Sequence, residues 1–371
     1  MKKDKDIIKS LLESAGVTIN GVEDYDIQVH NEDLYSRILF QGSLAIGETY
    51  MDGWWDCKRL DCFFYKVLNA NLEDKIKVNL NVLFKVISSR LLNEGRKSKA
   101  FEVGEKHYDI GNDLYKLMLD KRMTYTCGYW DNAKNLDEAQ NAKLDLICKK
   151  IGLKKGQSVL DIGSGWGSFI GYAADKYGAN AVGVTVSNEQ KKLADEKYNK
   201  ISAMTLLQDY RDINEKFDHI VSLGMFEHVG YKNYRSFMKI AHNTLNDDGL
   251  FLLHTIGGNR STTGTDPWLD RYIFPNSMIP SIKQIGKSIE GLFIMEDWRN
   301  LSTNYDKTLM AWYDNFDKNW DKIKSNYDKR FYRMWSYYLL SCAGSFRARN
   351  LQLWQIVLSK NGVANGYKSI R

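Results

Sequence analysis

The sequence predicts an α/β fold, a parallel sheet covered by helices on both faces, with a small, mainly helical unit ahead of it. Three observations lead there. From Ser158 onward, short apolar runs alternate with helical stretches, the pattern of βαβ units. A glycine-rich turn, Asp161-Ile162-Gly163-Ser164-Gly165-Trp166-Gly167, falls where one such run ends and a helix begins. Well before it, Ile7, Ile8, Leu11 and Leu12 recur at helical spacing.

The chain has 371 residues, 43% of them hydrophobic, which suits a large catalytic domain with a smaller appendage. A helix is expected over Ile7 to Ala15, then a mixed segment up to Trp54 and Trp55. These two tryptophans, with Phe63, Phe64 and Tyr65, read as the core of the small unit, because a small domain needs large aromatics to bury enough area. From Lys75 to Lys99 seven basic residues face one acidic one, and Ile76, Leu80, Leu83, Phe84, Ile87 and Leu91 can share one helical stripe. Both a helix lying on an anionic surface and a packing helix with a solvated basic face fit this segment. The expected organisation is therefore a small N-terminal domain over 1–80, a basic linker over 81–100 and a large α/β domain over 101–371. Within the last, strands are expected at Ser158 to Ile162, Ala181 to Val186, Met204 to Leu207, Ile220 to Leu223 and Leu250 to Thr255. A late strand at Leu353 to Leu358 is expected to add an edge.

Composition narrows the function classes. The net charge of +6, from 52 basic against 46 acidic residues, is too small to dictate nucleic-acid binding but suits an anionic membrane surface. The five cysteines are scattered, without the paired spacing of a metal site, so no metal is expected and the compartment reads as reducing and cytoplasmic. At the N-terminus Lys9 and Glu13 interrupt the apolar residues where a signal peptide needs an unbroken core. No apolar run is long enough to span a bilayer, so membrane contact is expected to be peripheral.

The glycine loop indicates which nucleotide it takes. Its spacing is G-x-G-x-G rather than the G-x-G-x-x-G of dinucleotide sites, and about twenty residues on the chain offers Thr185-Val186-Ser187 instead of an acid. NAD is thereby disfavoured. An aspartate at the strand end ahead of the glycines fits the S-adenosylmethionine-dependent methyltransferases, whose ligand carries an ammonium. Thr185 and Gln190 are then the candidates for the ribose or methionine moiety.

Six further segments sharpen this. They are Gly47-Glu48-Thr49-Tyr50-Met51-Asp52-Gly53-Trp54-Trp55, His107-Tyr108-Asp109-Ile110-Gly111-Asn112, Tyr125-Thr126-Cys127-Gly128-Tyr129-Trp130, Phe226-Glu227-His228-Val229-Gly230, His254-Thr255-Ile256-Gly257 and Asn304-Tyr305-Asp306. On these residues the chain resembles the cyclopropane fatty-acid synthases, more closely the bacterial phospholipid-acting members than the mycolic-acid ones. One departure is Ser164, where that family more often has cysteine. The resemblance implies a Rossmann-like seven-stranded methyltransferase domain and a helical N-terminal domain that engages lipid. It implies S-adenosylmethionine as cosubstrate and a bicarbonate ion held by Cys127, Glu227, His254, Tyr305 and the backbone of Ile256. The expected cosubstrate contacts are Tyr125, Thr126, Asp161, Gly163, Gly165, Gly167, Thr185, Gln190, Asp209 and Tyr210. It also implies a homodimer in the cytoplasm, associated peripherally with the inner face of the cell membrane, acting on unsaturated phospholipid.

Such a reaction makes definite demands. An alkene is a weak nucleophile, so it must be held in line with the sulfonium methyl in a dry pocket. Methyl transfer leaves a carbocation, which favours aromatic lining; Tyr125, Tyr129, Trp130, Trp268 and Tyr305 are candidates. Ring closure then needs only a modest base. His228 reads as structural, and the run Trp335 to Leu340 as helix packing or an acyl channel. Arg347 and Arg349 fit either a lipid phosphate or ordinary surface roles. Three rivals remain open: a methylating or methylenating lipid enzyme, a silent lipid-binding protein and a methyltransferase for a soluble substrate.

Overall fold

The computed structural model describes residues 2–72 and 111–371. The basic segment Lys75 to Lys99, the expected linker and His107 to Ile110 lie outside the described residues. In chain order, numbered among the described residues, the elements are α1 (Lys2–Ser14), β1 (Gln28–Val29), α2 (Leu34–Gln41), α3 (Ser43–Met51), β2 (Trp55–Asp56), α4 (Leu60–Asn69), α5 (Asn112–Met118) and α6 (Leu136–Lys150). There follow β3 (Ser158–Ile162), α7 (Ser168–Tyr177), β4 (Asn180–Thr185), α8 (Asn188–Tyr198), β5 (Ala203–Leu207), β6 (Phe217–Leu223), α9 (Tyr234–Thr244) and β7 (Leu245–Gly258). The chain ends with α10 (Pro267–Tyr272), α11 (Ile282–Ile289), β8 (Ile294–Asn300), α12 (Ser302–Ile323), α13 (Lys329–Arg347) and β9 (Leu351–Ser359).

Two compact units result. Among the described residues, the first gathers 2–72 and 111–117 with 265–276 and 312–350; the second comprises 118–264, 277–311 and 351–371. The first unit is thus discontinuous, whereas the boundaries expected from sequence are consecutive. The cause is α13, which packs against α3 and α4. Its Arg347 donates to buried Asp61 at 2.7 Å, and Arg59 completes that ion pair. In the same unit Trp55 and Phe63 are buried, with ring centroids 5.5 Å apart, so these two aromatics are core. Tyr65, by contrast, is exposed. Gly47 lies where a Cβ would come within 2.3 Å of the Trp268 ring, so this position of the first motif exists to let that indole pack. Trp268 is itself core to this unit, its ring 4.4 Å from that of Tyr337.

The second unit is built on a seven-stranded sheet in the order β5-β4-β3-β6-β7-β9-β8. Strands β3 to β7 run parallel, and β9 is antiparallel to both of its neighbours. Alternate residues feed opposite faces. Leu160, Ile220, Leu253 and Leu358 join the core under α9 and α11, while Val159, Val221, Leu252 and Val357 join the core under α6 and α7. Both faces are therefore dry, as a parallel sheet requires. The five expected parallel strands all form within a few residues of the expected bounds.

The late strand is not an edge. All but its first residue are buried, and it sits between β7 and β8. The true edge on that side is β8, which sequence reasoning missed. Glu296, Asp297, Arg299 and Asn300 break its apolar pattern, and Ile294 and Met295 are exposed. Charges on an edge strand discourage pairing with another chain, which is why such strands read poorly. Among the described residues no helix is long and apolar enough to cross a membrane.

Candidate active site

The order of the sheet reverses between β3 and β6, since β3 continues to β4 on one side and meets β6 on the other. Ligands bind open α/β sheets at the carboxyl ends of the strands flanking such a reversal. Asp161 and the glycine loop sit there. Gly163, Gly165 and Gly167 adopt φ of 86°, 54° and 77°, a region costly for residues with a Cβ. Gly167 caps α7, and space above Gly165 is open. Asp161 is buried and its Oδ1 has no hydrogen-bond partner. Burial pushes its carboxyl up to about 7 against the opposing pull of the Lys143 ammonium. An unmatched carboxylate oxygen beside an open glycine cradle fits a cationic ligand.

The other expected cosubstrate residues gather at adjacent strand ends. Thr185, at the end of β4, donates to Gln190 Oε1 at 2.8 Å, so these two form one hydrogen-bonded pair. Asp209 follows β5, where Gln208 N–H donates to the Thr185 carbonyl at 3.0 Å. The Arg211 guanidinium beside Asp209 holds its carboxyl below the usual range. Tyr210 packs edge-on against Phe237, with centroids 5.3 Å apart. Thr126 lies against the end of β6, because a Cβ on Gly224 would meet its Cγ2 at 2.7 Å. Tyr125, beside it, is half-buried.

Glu227, His254 and Ile256 lie around the carboxyl end of β6, whose last residue, Leu223, pairs with His254 of β7. Glu227 Oε1 accepts the Ile256 N–H at 2.7 Å, so this main-chain donor is engaged within the protein. Glu227 Oε2 is buried without a partner, and burial raises the carboxyl to about 7. His254 is 1% exposed, its Nδ1 faces the Gln355 amide nitrogen at 3.2 Å, and its Nε2 has no partner. Burial holds its pKa well below the usual imidazole value, so the ring is neutral. His228, by contrast, is exposed.

The segments that carry Cys127 and Tyr305 are tied by a second set of bonds. Tyr305 lies in the first turn of α12, flanked by Asn304 and one turn ahead of Thr308. Asn304 Oδ1 accepts the Trp130 N–H at 2.7 Å, and Thr308 Oγ1 accepts the Gly128 N–H at 3.0 Å and the Trp130 indole N–H at 2.9 Å. The buried Cys127 thiol donates to the Gly128 carbonyl at 3.1 Å, and burial keeps it protonated. Tyr129 is capped by Arg299, which donates to its hydroxyl at 2.8 Å and lies 4.9 Å from its ring centroid.

Sequence reasoning missed several residues that hold this arrangement. Gln140 and Lys143 lie one turn apart on α6; the amide donates to the Thr126 carbonyl at 2.7 Å and the buried ammonium to the Thr126 hydroxyl at 2.9 Å. Burial brings Lys143 down to about 8. A legible signal existed, since both interrupt the apolar face of a helix. Gln355, an amide inside a buried apolar strand, carried a similar signal. Thr308 carried none.

The chain is 51% identical over 365 residues to the cyclopropane-fatty-acyl-phospholipid synthase of Escherichia coli strain K12, covering 98% of this chain and 95% of that protein. Its structure resembles that of the cyclopropane synthase MmaA2 from Mycobacterium tuberculosis, with a TM-score of 0.66, 31% identity, and coverage of 70% of this chain and 98% of that one. It likewise resembles the mycolic acid cyclopropane synthase CmaA1 complexed with SAH and CTAB, with a TM-score of 0.64, 32% identity, and coverage of 71% and 98%. Residues 95–356 match the family described as mycolic acid cyclopropane synthetase. With its glycine loop at the sheet reversal and these likenesses over most of its length, the chain belongs to that family of S-adenosylmethionine-dependent methyltransferases.

Proposed function

We propose that this enzyme converts cis double bonds of unsaturated phospholipid acyl chains into cyclopropanes, with S-adenosylmethionine as the methylene source and bicarbonate as the base. The supporting observation is a pair of buried, unpartnered polar atoms: Glu227 Oε2, just beyond the end of β6, and His254 Nε2, on the β7 residue paired with the last residue of β6. A buried polar atom left unmatched costs free energy and marks a place where a small polar ligand belongs. The relative from Escherichia coli is named for phospholipid acyl chains, and the 51% identity to it supports that substrate class.

The chain's residues divide the work. Asp161, the glycine loop, Tyr125, Thr126, Thr185, Gln190, Asp209 and Tyr210 hold the cosubstrate, which supplies an electrophilic methyl on a sulfonium. Cys127, Glu227, His254 and Tyr305 surround the anion, which would supply a modest base that is not a side chain, while the Ile256 N–H, expected to bind the anion too, is instead held by Glu227 Oε1 and fixes that carboxylate. Glu227, ionised, accepts the hydroxyl proton of the anion and orients it. Buried Cys127 stays a thiol, so it does not compete as a nucleophile for the carbocation. Trp130 and Tyr305 offer ring faces to that cation, whereas the Tyr129 ring, expected to do so too, already carries the Arg299 guanidinium. The first unit is the part we assign to lipid engagement. The family resemblance supports a homodimer at the inner face of the membrane, and the net charge of +6 supports an anionic surface there.

The test is to supply methyl-labelled S-adenosylmethionine with vesicles of unsaturated or saturated phospholipid and to follow lipid mass and the olefinic signal. A gain of one CH2 per double bond with loss of the olefin, confined to unsaturated vesicles, is expected. Label in lipid with the olefin retained would show a methylating or methylenating enzyme, and label absent from lipid would reject the substrate class. Titrating bicarbonate into wild type and Glu227→Gln checks the anion, and equal turnover in both would reject the role given to Glu227.

A further inference from the structure

The antiparallel register of β7 and β9 sets His254 directly opposite Gln355, so their side chains share one face of the sheet. Both are buried, at 1% and 0% exposure, and the Gln355 amide nitrogen lies 3.2 Å from His254 Nδ1. An amide nitrogen carries only hydrogens and donates. The ring nitrogen facing it must then accept, which leaves the single proton of a neutral imidazole on Nε2. Nε2 is the atom left without a partner.

We propose that Gln355 is a positioning residue that locks His254 in the Nε2–H tautomer, making the ring a fixed hydrogen-bond donor toward the active centre and removing it as a base. What the ring donates to rests on the bicarbonate reading above; the lock itself does not. The arrangement has chemical sense. An Nε2 lone pair near an electrophilic methyl and a carbocation would be a competing nucleophile, and an imidazolium would repel the sulfonium. A neutral Nε2–H donor avoids both. The strand context makes the lock stiff, since register places Gln355 and burial confines its amide.

The test uses the full-length protein labelled with 15N-histidine, free of ligand, in long-range proton–nitrogen correlation spectra. The His254 signals are assigned by their loss in His254→Gln. In wild type we expect Nε2 protonated and Nδ1 bare. In Gln355→Glu the carboxylate accepts from the ring, so Nδ1 becomes protonated. That variant should lose kcat by about tenfold or more while its KM for S-adenosylmethionine stays close to that of wild type. Gln355→Leu, which neither donates nor accepts, should give mixed tautomers and an intermediate kcat. Nδ1 protonated in wild type would overturn the proposal, as would a Gln355→Leu protein with the wild-type spectrum and kcat. The expected spectra together with turnover indifferent to bicarbonate would uphold the lock and reject the anion reading instead.

Discussion

The hydroxyl oxygen of Thr308 accepts the main-chain N–H of Gly128 at 3.0 Å, across 180 residues of sequence. One side chain thereby ties the segment carrying Cys127 to the helix carrying Tyr305. The same oxygen accepts the Trp130 indole N–H, and its proton goes to the Asn304 carbonyl at 2.7 Å. Thr308 is fully buried, so no water stands ready to replace it.

Thr308→Val keeps the shape of the side chain and removes the acceptor. The buried Gly128 N–H then loses its partner, at a cost of about 1–3 kcal/mol, and the half-buried Trp130 indole N–H loses its own. Thermal unfolding should show a clear drop in Tm, and turnover at the assay temperature should fall more than the folded fraction does. Thr308→Ser should recover most of both. Equal Tm and turnover in wild type and Thr308→Val would show that the tie does not matter.

Glu227 lends itself to a test in pH. Its usual value of 4.5 is raised to about 7 by burial, which outweighs the Ile256 N–H. Between those values the folded protein holds a proton that the unfolded chain has released, so stability falls as pH rises through the window. Glu227→Gln has no charge to bury. In the ligand-free protein it should therefore melt higher than wild type at pH 8, by an amount on the order of 2–3 kcal/mol, and no higher near pH 4.5. Denaturation at the two pH values checks this. Activity should run the other way, with an acid limb near pH 7 in wild type that is absent from the residual activity of the variant.

Gly224 follows β6 with φ of 75°, and a Cβ there would meet Thr126 Cγ2 at 2.7 Å. Gly224→Ala thus combines an unfavourable backbone conformation, worth about 1 kcal/mol, with displacement of Thr126. Because Thr126 also takes the Lys143 ammonium and the Gln140 amide, the movement should spread to the cosubstrate side. The expected result is weaker binding of S-adenosylmethionine by about tenfold with a smaller loss of stability, read by equilibrium binding and thermal unfolding on the same preparation.

The parallel strands and the glycine loop were legible because their signals are local. Five apolar runs with helical stretches between them already imply a two-faced sheet, and Asp161 with its glycines is one continuous peptide. The discontinuous first unit was not legible, because nothing in Trp335 to Leu340 says that this helix packs on α3 and α4 rather than on its sequence neighbours. β8 hid behind Glu296 and Asp297 for the same reason that edge strands are safe. In the proposed site, the residues with distinctive chemistry, Cys127, Glu227, His254 and Tyr305, stood in recognisable peptides. Their supports did not. Thr308 and Gln355 matter only through partners that folding brings from far along the chain.

Asp161 provides the most direct test of the cosubstrate site. Its carboxyl, raised to about 7 by burial with Lys143 pulling the other way, is largely protonated in the free protein at pH 6 and ionised at pH 8. A cationic ligand held by its unpartnered Oδ1 prefers the ionised form, so binding must expel the proton at low pH. The affinity for S-adenosylmethionine should therefore weaken about tenfold from pH 8 to pH 6. Calorimetry in buffers of different ionisation enthalpy should register a proton released at pH 6 and almost none at pH 8. Asp161→Asn should bind more weakly at pH 8, with no such proton release and an affinity that is flat across the range. Lys143→Met should push the carboxyl higher and move the whole transition toward alkaline pH, because the opposing ammonium is gone. A wild-type affinity independent of pH, with no proton released, would mean that Asp161 does not meet the charge of the ligand.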